Sequence, residues 1–230
     1  MKSLLTSQEG LKLLACLTML TDHIGAVFFP ENVALRCIGR LSFPIYCFLL
    51  AEGSHYTKDA KKYGLRLLLL MVLSELPFEM AFYGRMTIYR QNVMLTLFMG
   101  FVTLELMKKC PHFLIKLLVA LPMAWVTERL RCDYGGEGVM LIVLFALTRE
   151  LPYKQLLQGA GMLLLFGNMA SLELWRSGSL VLTMQMLGAL SVIPISFYSG
   201  KKLTHHKAVQ WSFNLFYPAH LLVLWVLSLK

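Results

Sequence analysis

Charge is scarce in this chain, and acid is scarcer than base. Of 230 residues only 13 are Asp or Glu, against 22 Lys or Arg, and the charged fraction is 15%. Soluble domains carry about a quarter of their residues as charge, so an ordinary water-soluble globule is excluded. No soluble-looking block interrupts the apolar stretches, which leaves one domain over 1–230. Cysteine is sparse as well: Cys16, Cys37, Cys47, Cys110 and Cys132 show no CxxC spacing, and an odd count leaves at least one thiol free. Neither a disulfide framework nor a metal site is expected from that pattern. Also missing are the alternating ten-residue segments of a β-barrel.

What the chain does have is hydrocarbon: 57% hydrophobic residues and a mean hydropathy of +0.61. A membrane-crossing helix needs about 20 residues, and unpaired backbone groups are not tolerated in lipid, which rules out an open sheet. Apolar runs lie at 11–29, 34–52, 63–82, 92–107, 112–128, 137–150, 154–169, 180–198 and 211–229. The reading is an all-α, polytopic helical bundle of eight to ten transmembrane helices, with nine the count. The first run is no signal peptide, because it lacks a small-residue cleavage site and carries Asp-His in its second half.

The net charge of +9 invites a nucleic-acid reading, but the basic residues are distributed otherwise. Lys2, Lys12, Lys58, Lys61, Lys62, Arg66, Lys108, Lys109, Lys116, Arg149, Lys154, Lys201, Lys202 and Lys207 fall on one side of a nine-helix chain. The other eight fall opposite. This positive-inside bias sets the N-terminus in the cytoplasm and the C-terminus outside. The basic loops then orient the chain and meet anionic membrane lipid, and no nucleic-acid partner is expected.

Asp22 and His23 interrupt the first apolar run, where an unsolvated charge costs a few kcal/mol or more. Arg36, Arg40, Glu75, Glu79, Asn92 and His220 also lie in or beside apolar runs, and the topology collects them toward the outer half of the bundle. Glu75 and Glu79 share a helix face, Pro77 breaks the helix between them, and ion pairing with Arg36 and Arg40 is expected. Lys12 and His23 are eleven residues apart, three turns plus about 20°, so they stack on one stripe about 16.5 Å long. Asp22 is rotated about 100° from His23 and is expected to pair with another helix. Glu52 is read as interfacial, His205-His206 as a solvated loop, the four tryptophans as belts or core, and Asp133–Gly136 as a turn.

The segments LKLLACLTMLTDHIGAVFFP, LRCIGRLSFPIYCFLLAEG, YGLRLLLLMVLSELPFEMAFYG, QNVMLTLFMG, DYGGEGVMLIVLFAL and FNLFYPAHLLVL together resemble the TraX family, in order along nearly the whole chain. That resemblance implies a membrane acetyltransferase that uses acetyl-CoA and is associated with N-terminal acetylation of a pilin subunit. A wider likeness is to the type-three integral-membrane acyltransferases, which carry Arg, ten residues, then a catalytic His in the first helix. Here Lys12 stands in place of that Arg and His23 matches the His, while Arg36 and Arg40 fall where that superfamily has paired arginines.

On this reading His23 is the general base and Asp22 orients or tunes the site. Arg40, Arg36, Lys12 and Asn92 stabilise the oxyanion or bind coenzyme. Glu75, Glu79 and His220 form an acceptor or structural cluster. The acceptor is an amine or hydroxyl of a protein, glycan or small molecule, no metal takes part, and the setting is a bacterial cytoplasmic membrane. The competing class is a small proton- or cation-coupled transporter using Asp22, His23, Glu75 and Glu79. A non-catalytic assembly partner for a secreted polymer is a third.

Overall fold

Ser7 starts the first long helix, α1 (Gln8–Phe28), by accepting the Gly10 amide on its side chain at 3.1 Å, one of the donors a helix N-terminus otherwise leaves orphaned. A computed structural model describes residues 4, 6–87, 89–177, 180–204 and 206–229. Lys2 and His205 lie outside these described residues. After α1 come α2 (Val33–Gly39) and α3 (Ser42–Tyr56), an apolar run of 24 residues bent at Arg40. Pro44 explains the bend: it has no N–H for the Arg40 carbonyl, and its ring crowds that oxygen.

The chain continues through α4 (Ala60–Tyr83), α5 (Val93–Met107), α6 (Phe113–Arg129), α7 (Gly135–Thr148) and α8 (Lys154–Gly167). Two strands follow, β1 (Glu173–Ser177) and β2 (Leu180–Thr183), then a 3-10 helix (Met184–Ser191), α9 (Val192–Ser196) and α10 (Lys207–Ser228). Contacts divide these elements into two compact units, Met1–Tyr46 with Tyr153–Lys230, and Cys47–Pro152.

In the unit Cys47–Pro152, α7 is the centre: Val139, Leu141, Ile142, Val143 and Phe145 are all buried. A helix apolar all round needs neighbours all round, and α5 and α6 supply them. Asn92 caps α5 by accepting the Met94 amide, and Gly136 lets the start of α7 lie on α6. A Cβ at Gly136 would sit 2.8 Å from the Ala124 carbonyl oxygen, a backbone atom that cannot swing aside. Gly136→Ala should therefore lower the thermal midpoint, at a cost of about 1–3 kcal/mol. Gly159→Ala, whose Cβ meets nothing nearer than 3.9 Å, should leave it level or raise it. Equal midpoints for the two variants in detergent would contradict this packing.

In the other unit, α1 packs on α2 and α10. Lys12 meets Gln210 and His23 meets His220, so α1 and α10 run in the same direction.

Three apolar helices are long enough to cross a membrane among the described residues: Gln8–Phe28, Val33–Tyr56 and Lys207–Ser228. They mark a membrane protein. The other expected spans differ in form. The helix α4 has 24 residues but carries Arg66, Glu75 and Glu79, while α5, α6, α7 and α8 have 15, 17, 14 and 14 residues. The expected span at 180–198 is replaced by β2, the 3-10 helix and α9. Strands β1 and β2 pair antiparallel, Arg176 opposite Val181; β1 is exposed, while Thr183 at the end of β2 is buried. Trp175, Val181 and Thr183 are residue types that favour strands.

The outward faces are apolar all the same. Along α6, Leu114, Leu118, Leu121 and Trp125 are each more than half exposed, and their spacing draws one stripe down the helix. On α4 the outward residues are Leu65, Leu68, Leu69, Val72, Leu73 and Leu76, while Ser74 and Glu79 are buried. That inversion of soluble patterning suits lipid.

Candidate functional site

Asp22 and His23 are neighbours on α1 but face different partners. The Asp22 carboxylate accepts from Arg40 Nη2 at 2.7 and 2.6 Å and lies 3.0 Å from Arg36 Nη1, so α2 and the bend after it supply both cations. Arg36 Nη1 also donates to the Asp22 carbonyl at 3.2 Å, and Arg40 Nη1 to Gln185 Oε1 of the 3-10 helix at 2.9 Å. Asp22 and Arg40 are buried; the Arg36 side chain stays 29% exposed. A buried carboxylate is tolerated only with such pairing. Gly39 makes it possible, because a Cβ there would fall 2.1 Å from Asp22 Cβ.

His23 turns to α10. Its Nδ1 lies 2.7 Å from His220 Nε2, with the two rings nearly parallel at 10°, and His220 Nδ1 lies 2.7 Å from the Phe216 carbonyl oxygen. The carbonyl can only accept, so His220 Nδ1 carries hydrogen. In the uncharged pair His220 Nε2 must then accept, and His23 Nδ1 must donate. The tautomer of His23 follows: its lone pair is on Nε2. The His23 ring is thus held by a second imidazole.

The Lys12–His23 stripe is a packing seam against α10. Lys12 Nζ donates to Gln210 Oε1 at 2.8 Å and lies over the Phe213 ring at 5.6 Å. The imidazole end of the same stripe meets His220.

Glu75, Glu79 and Asn92 belong to the unit Cys47–Pro152. Asn92 Nδ2 donates to Glu75 Oε2 and to the Met71 carbonyl, and its Oδ1 caps α5, so its amide is committed to structure and holds no donor for an oxyanion. Glu79 Oε2 accepts from the Thr87 amide at 2.7 Å and its hydroxyl at 2.5 Å. The carboxylate set against Arg36 and Arg40 is Asp22, while Glu75 and Glu79 take Asn92 and Thr87. Oε1 of Glu75 and Oε1 of Glu79 are buried with no hydrogen-bond partner among the described residues.

Sequence reasoning missed Gln185, Thr87, Gly39 and the Phe216 carbonyl. Gln185 alone carried a signal, a polar side chain inside the apolar run at 180–198.

No group of three or more His, Cys, Asp and Glu that could hold a metal occurs among the described residues. The five cysteines are free. Burial, with Asp133 and Glu128 nearby, pushes the Cys132 thiol up to about 12. It is therefore neutral at pH 8, and the thiolate is the reactive form. Maleimide should label half-buried Cys110 well before Cys132 in single-cysteine variants; equal rates in the folded protein would contradict that burial.

A probable fimbrial assembly protein of Dichelobacter nodosus, FimC of serogroup H1, is 30% identical over 93% of this chain and 92% of its own length. An uncharacterized protein of Rickettsia prowazekii (strain Madrid E), RP591, is 28% identical over 40% of this chain and 34% of its own. No solved structure matches. The family model described as TraX protein matches residues 7–228, which include every residue of the Asp22–Arg40 and His23–His220 pairs, and the chain belongs to the TraX family.

Proposed function

We propose that this protein is an integral-membrane acetyltransferase that moves an acetyl group from acetyl-CoA to an amine or hydroxyl. The observation that carries the reading is the His23–His220 pair. It holds an imidazole in one orientation and one tautomer within a membrane-type helix packing, beside a cluster of Asp22, Arg36 and Arg40. Neutral histidine with a defined lone pair is the usual general base near pH 7.

His23 Nε2 takes the acceptor's N–H or O–H proton as that atom attacks the thioester carbonyl. The tetrahedral oxyanion collapses, the carbon–sulfur bond breaks, and the departing thiolate recovers the proton from His23. Arg36, partly exposed and already oriented by Asp22, is the cation a bound anion can reach. Arg40 and Asp22 form its rigid support. Lys12, at the other end of the seam, adds positive charge where the coenzyme's phosphates enter.

A multi-pass arrangement near nine helices, forming a single membrane domain, is supported by the apolar outward stripes of α4 and α6. The parallel run of α1 and α10 supports it too, since an odd number of passes requires that of the first and last helices. The basic asymmetry supports a cytoplasmic N-terminus in a bacterial cytoplasmic membrane. The Dichelobacter relative's description as a fimbrial assembly protein supports a pilin-like polypeptide as acceptor.

The test is transfer of labelled acetyl from acetyl-CoA to membrane-fraction acceptors, with wild-type membranes set against membranes lacking the protein. Equal labelling would remove the reading. A proton- or cation-path reading has one observation in its favour, the unpartnered buried oxygens of Glu75 and Glu79. It would require proton leakage that depends on those acids.

A further inference from the structure

The unit Cys47–Pro152 has a second polar place, independent of the acetyl-transfer reading. The ends of α3, α5 and α7 and the start of α6 meet there around a cavity of about 200 Å³. Its floor includes Leu104 and Met107, and its rim carries His55, Lys108, Lys116 and Arg149. We propose that this cavity binds the phosphate group of an amphiphile, with the phosphate on the basic rim and the apolar stem over Leu104 and Met107.

Two of the cations are fixed in place. Lys108 Nζ donates to the Ser54 carbonyl at 2.6 Å and to Glu105 at 2.5 Å. Arg149 Nε donates to Glu52 at 2.7 Å, Nη2 donates to the Tyr56 hydroxyl at 2.6 Å, and Nη1 meets Glu150. The three carboxylates nearby are thereby engaged by Lys108 and Arg149. Lys116 has no hydrogen-bond or ion-pair partner for its side chain among the described residues.

Position makes Lys116 the telling residue. It lies in the first turn of α6, where the helix dipole disfavours a cation, so helix stability does not account for it. Lys108 and Arg149, by contrast, follow the C-terminal ends of α5 and α7, where cations are favoured. The cavity lining itself carries Lys108, Lys116 and Arg149 and no acidic side chain. Metal cations are repelled by such a rim. A phosphate is attracted, and basic pockets between membrane helices suit phospholipid headgroups.

The phosphate has two possible sources, an anionic phospholipid or the coenzyme, and one experiment separates them. The full chain, purified in detergent, is titrated with short-chain phosphatidylglycerol, the matching phosphatidylcholine, coenzyme A and inorganic phosphate, with binding read by native mass spectrometry. Lys116→Gln is the test variant and Lys109→Gln the control, since Lys109 is exposed and off the rim. The glycerol lipid should bind about tenfold more tightly than the choline lipid. Lys116→Gln should weaken it by about five- to tenfold, the worth of one lysine near an anionic headgroup. Lys109→Gln should change it less than about twofold, and both variants should keep the wild-type thermal midpoint. Coenzyme A binding that depends on Lys116, with no preference between lipids, would assign the phosphate to the coenzyme and keep the site. Unchanged affinity of Lys116→Gln for every phosphate probe would overturn it.

Discussion

His23→Ala is expected to reduce acetyl transfer by about 10²–10⁴-fold, the usual worth of a positioned general base. The protein should still insert and fold, because the lost contact is one imidazole on the α1–α10 seam. His220 separates a base from its support. His220→Ala removes the acceptor for His23 Nδ1–H and lets the ring rotate and change tautomer, so turnover should fall while His23 remains present. His220→Gln, whose amide offers both an acceptor and a donor, should recover part of that loss. If His220 were merely packing, Ala and Gln would differ only in stability, and the pH dependence of turnover would match wild type in both. Full activity in His23→Ala would remove the histidine mechanism whatever the family.

Asp22→Ala is expected to destabilise the folded protein by about 3–5 kcal/mol, the penalty for removing one partner of a buried ion pair. The reason is what remains. Arg40 is buried with two of its bonds aimed at a missing carboxylate, and it has little water to turn to. Arg36 suffers less, since it is partly exposed. Replacing both charges, with Asp22→Leu and Arg40→Met, should restore much of the stability, because a buried pair contributes little beyond apolar side chains of similar volume. The comparison is read from unfolding midpoints in detergent. A single variant as stable as wild type would mean that Asp22 and Arg40 are not buried against each other, and the cluster would lose its role as a rigid support for Arg36.

How much of this could be read beforehand depends on the kind of signal each residue carried. Asp22, His23, Arg36, Arg40 and His220 stood out because charge or imidazole in an apolar run must be compensated, and the structure joins them in two adjoining networks. Helical rotation separated Asp22 from His23, and the bonds to α2 and to α10 follow that separation. The identity of the partners was harder. A nine-pass count implies that the last helix runs parallel to the first, but not that the two pack together, so the His23–His220 contact, 197 residues apart, was invisible. Gly39 carried no polar signal at all; its importance is a missing Cβ. The apolar runs also overstated helix regularity. At 180–198 hydrophobicity alone could not distinguish a spanning helix from a strand followed by a 3-10 turn, since both bury Leu, Val and Met. Short helices such as α7 read as spans for the same reason, although its apolar surface is consumed by neighbouring helices.

The central claim is that acetyl moves from coenzyme to acceptor through His23, and its most direct measurement uses purified protein in liposomes. Trideuterated acetyl-CoA is added with a pilin-type polypeptide bearing a free N-terminus, and the product is weighed by intact-mass spectrometry. The expected result is a trideuteroacetyl adduct formed by wild type and lost, within detection, in folded His23→Ala. No adduct with wild type, together with His23-dependent proton leakage across the same liposomes, would contradict the transferase and leave the transporter.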